Sequence, residues 1–174
     1  MKIIKKFLHL VLILLFLFPA VPEKNKVYPD IPRELWDMTG EFEREMDINL
    51  KHQKVFIVNL TYINPFLAIY GAIGFCDAKT GNVFLHKPFW ETATQPEKEM
   101  TYYHELGHCV LNLRHIKYSK NGIDSSDPKD CPMTLMYPST MHDKCWVKHK
   151  DFYFATLRFH YNFATTETQF KDGE

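Results

Sequence analysis

The sequence predicts a single α+β domain behind an N-terminal export leader. Three observations predict it. The three lysines of MKIIKK precede an apolar run at 7–18, which PAVP then stops. Runs rich in β-branched and aromatic residues are bounded by turn residues and interspersed with segments of helical spacing. A stretch with a helix-start signal in mid-chain carries two histidines four places apart.

The apolar run is too short to span a bilayer as a helix, which takes about 20 residues. Residues 1–20 are therefore read as a signal peptide, and 21–174 as one domain, periplasmic or secreted and monomeric. Ala20 suits the last position before cleavage, although Phe18 is large for its place. No Cys follows the run to carry a lipid, so no membrane contact is expected after cleavage. With 45% hydrophobic and 15% aromatic residues the chain has the makings of a core. A formal net charge of zero gives nucleic acid no electrostatic footing.

Export bears on the cysteines at 76, 109, 131 and 145. An even count in an oxidising compartment points to disulfides, with three pairings open. Cys131 and Cys145 bracket one short loop and are the expected pair. Cys76 and Cys109 either pair or remain two buried thiols. There is no CxxC to support a cysteine zinc cluster.

Residues 30–46 read as a helix, with Asp30 as cap, Pro32 in the first turn and Leu35, Met38, Phe42 and Met46 on one face. Residues 54–63 read as a buried strand. Its Asn59-Leu60-Thr61 matches a glycosylation acceptor, discounted there as inaccessible. Residues 70–76 and 82–87 read as strands joined by DAKTG, with Gly81 supplying the turn. Thr94 and Glu97 form a capping box for a helix over about 95–112, with Pro96 tolerated in its first turn. A polar loop follows. Residues 150–163 read as a mostly buried C-terminal helix, and the tail after 164 as loose.

The mid-chain helix contains HELGH at 104–108. Residues i and i+4 share a helix face, so His104 and His108 can present two imidazoles to one metal. Glu105 lies one step round, placed to accept a proton from a metal-bound water without ligating the metal. By composition alone a match to HExxH is expected only about 0.03 times in such a chain, yet a surface helix with two solvated histidines would read the same. A catalytic zinc keeps three protein ligands and an open fourth position. Glu167 and Glu174, the only later glutamates, fall in the tail. Asp124, Asp127, Asp130, Asp143 and Asp151 lack a supporting motif, and His142, His149 and His160 sit in generic contexts. His115 remains.

At this point HELGHCVLNLRH resembles the metzincin clan of zinc peptidases, whose pattern is HExxHxxGxxH followed by a Met-turn. The glycine position is Leu111 here. Asn112, one place later, is the next-best residue for a left-handed helix end. From Asn112 the spacing NLRH reproduces GxxH, so turn and third ligand shift together and the resemblance makes His115 the third metal ligand. The segment is also similar to short bacterial and phage metallopeptidases with HELGHCVLNR-type motifs. TLMYPS at 134–139 resembles the matrixin Met-turn. That implies Met136 as an apolar floor under the metal, and Tyr137 as structural or a helper at the pocket wall. Pro138 occupies the place where some members carry a ligating Tyr. The two strands over 70–87 and the following Trp90 resemble the segment before the matrixin active-site helix. Residues 71–76 would then be the cleft edge that pairs with an extended peptide. His86 is read as a solvated strand residue, and no structural zinc or calcium motif is present. Residues 21–30 could cover the cleft, with Asp30 as metal cap, although nothing singles this out.

The resemblance implies a metzincin-like zincin fold: a twisted, mostly parallel sheet with an antiparallel edge strand, an active-site helix, a Met-turn and a C-terminal helix. It implies one catalytic Zn2+ on His104, His108 and His115, and peptide hydrolysis with Glu105 as proton acceptor. The rival readings are an exported zinc-stabilised binding protein without turnover, and a membrane-anchored interaction module in which HELGH is incidental.

Overall fold

Residues 26–116, 131–139 and 141–171 are described by the computed structural model. The leader and the polar loop, with Asp124, Asp127 and Asp130, lie outside the described residues. The rest is a mixed α+β fold whose sheet has three strands. β1 (Val55–Val58) runs parallel to β3 (Asn82–His86), and β2 (Gly74–Asp77) pairs antiparallel with the other side of β3. Val83 and Leu85 of the central strand are fully buried. The expected mostly parallel sheet is instead one parallel and one antiparallel pair. The expected antiparallel edge is present as β2. The turn from Asp77 to Gly81 closes with Gly81 at φ 70°, as its glycine predicts.

The strand expected over 54–63 stops at Val58. Asn59 takes an extended backbone and its side chain accepts the Thr61 N–H, which starts a short helix, α2 (Leu60–Ile63). A local cap thus overrides the strand propensity of Thr61, Tyr62 and Ile63. The ground for discounting Asn59 as buried in a strand falls with it. α3 (Pro65–Ile69) follows at once. His86 is not simply solvated: its Nδ1 accepts the Leu60 N–H at 3.2 Å and joins β3 to α2.

The first predicted helix begins as a 3₁₀ turn at Arg33–Leu35 and continues as α1 (Trp36–Met46). Asp30 makes no cap. Its backbone carbonyl accepts the Val55 N–H and ties the segment to the start of β1. Leu35, Met38, Phe42 and Met46 are buried on one face, as their spacing predicts. A short helix, α4 (Lys87–Thr92), buries Trp90, and α5 (Gln95–Cys109) starts with both halves of the Thr94–Glu97 capping box.

The last helix, α6 (Asp143–Lys171), is longer than expected at both ends, and His149 interrupts its helical backbone. It is not buried on several faces. Trp146, Tyr153, Phe154 and Leu157 enter the core, while Val147 and Phe159 are exposed, because packing on one layer buries one stripe of a helix. Tyr103 of α5 meets Phe42, Trp146 and Phe154 at ring-centre distances of 5.3–5.7 Å and joins three helices. Lys150 bridges Glu41 and Glu99 at 2.7 and 2.9 Å across the same junction.

Both cysteine pairs are disulfides. Cys131–Cys145 is the pair expected. Cys76–Cys109 settles the open alternative and ties the edge strand to the last turn of α5. Among the described residues no helix is long and apolar enough to cross a membrane.

Glu43 of α1 holds the chain before β1 in place. Its carboxylate accepts from Lys26 Nζ, Tyr28 Oη and the Leu50 N–H, each at 2.6 Å. Burial alone would raise its pKa, but these donors outweigh burial and lower it. A depressed carboxylate pKa stabilises the fold above the unfolded value and is lost as pH falls through the folded value. Glu43→Gln should therefore cost about 1–3 kcal/mol at neutral pH. Denaturant unfolding should show the gap to wild type narrowing below about pH 4. A gap independent of pH would remove the charged carboxylate from this role.

Candidate metal centre and its cleft

The helix that carries HELGH ends one step differently from a plain α-helix. The Val110 N–H still reaches Leu106 O at 2.8 Å, but the Leu111 N–H also reaches back five places to Leu106 O at 3.4 Å. The Leu113 N–H then reaches back six places to Gly107 O at 3.0 Å. Asn112 sits in the left-handed region at φ 53°, the conformation its identity predicts. The chain thereby absorbs one extra residue and folds back along α5. His115 returns to the face that carries His104 and His108.

The three imidazoles converge. His104 Nε2 lies 3.1 Å from His108 Nε2 and 3.1 Å from His115 Nε2. One ligand atom from each falls within 4.8 Å of the others, and this is the metal-capable cluster found among the described residues. His104 Nδ1 donates to Leu135 O at 2.7 Å, and His108 Nδ1 donates to Leu113 O at 2.6 Å. A carbonyl can only accept, so the proton on each ring is assigned to Nδ1 and the lone pair to Nε2. Two lone pairs facing each other at 3.1 Å cannot hydrogen-bond. A cation between them satisfies both, and carbonyl-fixed Nδ1 groups are the usual support of histidine ligands. A tetrahedral zinc with bonds of about 2.05 Å spaces its ligand atoms about 3.3 Å apart, close to this geometry. Burial, with a further contribution from the neighbouring histidines, lowers the His104 pKa to about 4. Burial also lowers that of His108. Both shifts favour the neutral ring, the state in which imidazole ligates.

Segment 131–139 is the second support. Besides Leu135 O on His104, Met136 O accepts the Ile116 N–H at 2.9 Å, next to His115. The turn therefore holds the helix and the returning chain together. Met136 is fully buried with its sulfur against Gly107, where a Cβ would overlap it. The glycine of HELGH, absent from the sequence argument, is what lets the turn approach α5. The Cys131–Cys145 disulfide anchors this segment to α6.

Glu105 is 7% exposed and points toward the edge strand. A Cβ on Gly74 would stand 2.7 Å from its Cγ and Oε1, so Gly74 leaves the room its carboxylate occupies. Burial pushes the Glu105 pKa up to about 8. His104, Glu105 and His115 line an open cavity of about 510 Å³, with residues 71–74 on one wall and Leu135, Tyr137 and Pro138 on the other. Asp30 does not line it. Asp143 is engaged elsewhere, accepting from Thr94 Oγ1 at 2.8 Å. Sequence reasoning missed Gly74 and Gly107. Only their contacts mark them, since glycine in a strand or helix carries no signature of what approaches it.

No family model, curated protein or solved structure matches the chain.

In an open helix interior Gly→Ala stabilises by up to about 1 kcal/mol. At Gly107 the sign should reverse, to a loss of about 1–3 kcal/mol, because the added methyl meets a packed Met136. Pairing Gly107→Ala with Met136→Ala should cost less than the two single changes summed, as chemical denaturation of the four proteins would show. A stabilising Gly107→Ala would mean that the turn does not rest on this face.

Proposed function

We propose that the chain is an exported zinc-dependent endopeptidase of metzincin type. The observation that carries the reading is the convergence of His104, His108 and His115 by their Nε2 atoms beside Glu105, on the floor of an open cleft bordered by a sheet edge. A three-histidine donor set fits zinc, which when bound lowers the pKa of water to about 7 and polarises a carbonyl.

The protein's own residues supply the rest. The Nδ1 contacts to Leu135 O and Leu113 O fix the two helix imidazoles in the ligating tautomer. Glu105 takes the proton of the attacking water and delivers it to the departing amine. Burial makes its carboxylate a stronger base than an exposed one, and a cation bound by the three histidines would favour its ionised form. Backbone groups at the edge strand and residues 71–74 hold the peptide extended, pairing with it as an added strand. The left-handed Asn112 and the turn around Met136 parallel the helix end and Met-turn that the sequence resemblance implies, and they support the metzincin assignment. The two disulfides are compatible with an oxidising compartment outside the cytoplasm.

Two experiments test this reading. His115→Ala should lose most of its zinc in metal analysis of purified protein, while Arg114→Ala should keep wild-type content. Equal content in both would take His115 out of the site. Glu105→Gln should keep zinc and fold but lose about 10²–10⁴-fold in cleavage of a broad peptide library. A chelator should abolish wild-type cleavage and added zinc restore it. A zinc-loaded wild type that cleaves nothing would point to a binding protein without turnover.

A further inference from the structure

From Val55 to Cys76 the chain contains no Asp, Glu, Lys, Arg or His, although 24% of the whole sequence is charged. Its two strands are mostly half-buried, with Val55 buried and Phe56 exposed. In the two short helices between them Leu60 is buried and Leu67 half-buried, and the other large side chains are exposed. Tyr62, Ile63, Phe66, Ile69 and Tyr70 are between 50 and 87% exposed, five large side chains within nine residues on α2, α3 and the residue after it. Scattered exposed apolar residues are ordinary, but a concentrated uncharged patch marks a contact surface.

The backbone of this segment identifies what it contacts. Asn59 and Asn64 side chains accept the Thr61 and Phe66 N–H groups at 3.1 and 3.0 Å. The N–H groups of Tyr62, Asn64, Leu67, Tyr70 and Ala72 reach carbonyls inside the segment, and that of Leu60 reaches His86. Pro65 has none to satisfy. A hydrocarbon environment offers no hydrogen-bond partners, so a loop that enters it must satisfy its own donors, as this one does. The patch also carries two tyrosines, whose amphipathic rings favour the headgroup level. Lys87 and Glu91, at the same end of the sheet, pair with each other at 3.7 Å and leave no net charge there to select anionic lipid.

We infer that α2 and α3 dip into an uncharged lipid surface, a zwitterionic bilayer interface, and seat the protein on it. Such seating departs from the expectation of no membrane contact after signal cleavage. Tyr70 and Gly71 also line the cavity, so the seated protein opens its cleft at the membrane surface. The binding does not depend on the peptidase reading.

Phe66→Trp supplies a reporter, because Trp90 and Trp146 are buried and Trp36 is partly buried against the core. With vesicles of brominated phosphatidylcholine, the full-length variant should show strong quenching beyond that of the parent protein. The quenching should be unchanged between low salt and 0.5 M salt, as it should be for apolar contact (the Debye length at 1 M is only about 3 Å). Adding Ile69→Asp should raise the lipid concentration for half-maximal quenching at least tenfold. Three results would overturn the inference. These are no quenching above the parent, quenching that salt abolishes, and a concentration-dependent blue shift without lipid, which would assign the patch to a second copy of the chain.

Discussion

The site depends on how closely the turn around Met136 can approach α5. Gly107 permits that approach, and three contacts follow from it: Met136 under the helix, Leu135 O on His104, and Met136 O on the Ile116 N–H. The first packs the turn, the second fixes one imidazole, and the third holds the strand of chain that returns His115. Any side chain at 107 would separate these layers, and the histidines would lose their common focus. The convergence of the three histidines is thus a result of packing.

Much of this was legible in the sequence because it is local. The Thr94–Glu97 cap, the i, i+4 histidines, Asn112 as a left-handed helix end and Gly81 in the hairpin turn each depend on residues a few places apart, and each is observed. What was not legible depends on competition or on distance. The strand propensity over 60–63 lost to one asparagine side chain. Gly74 and Gly107 matter for what lies against them, 31 and 29 residues away along the chain, and a sequence does not print that. The aromatic stretch of α6 read as buried on several faces because aromatic content reports hydrophobicity, not how many layers surround a helix.

Two walls of different origin border the cavity. One is the β2 edge with the residues before it, the other is the turn of 135–138, and α5 forms the floor between them. Sheet hydrogen bonds hold the first wall and packing on Gly107 holds the second. Glu105 reaches toward the first wall and His104 toward the second. A shift of either wall would therefore disturb a different element: the carboxylate in one case, the histidine focus in the other.

The disulfides fall one to each wall. Cys76–Cys109 fastens β2 to the end of the floor helix, and Cys131–Cys145 fastens the turn to α6. In a reducing compartment both would be open, and the unfolded chain would keep the loop entropy that each bridge removes, about 3–4 kcal/mol apiece in the chain-entropy model. An oxidising space would close both bridges and fasten the two walls, so the compartment itself would set when the cleft becomes rigid.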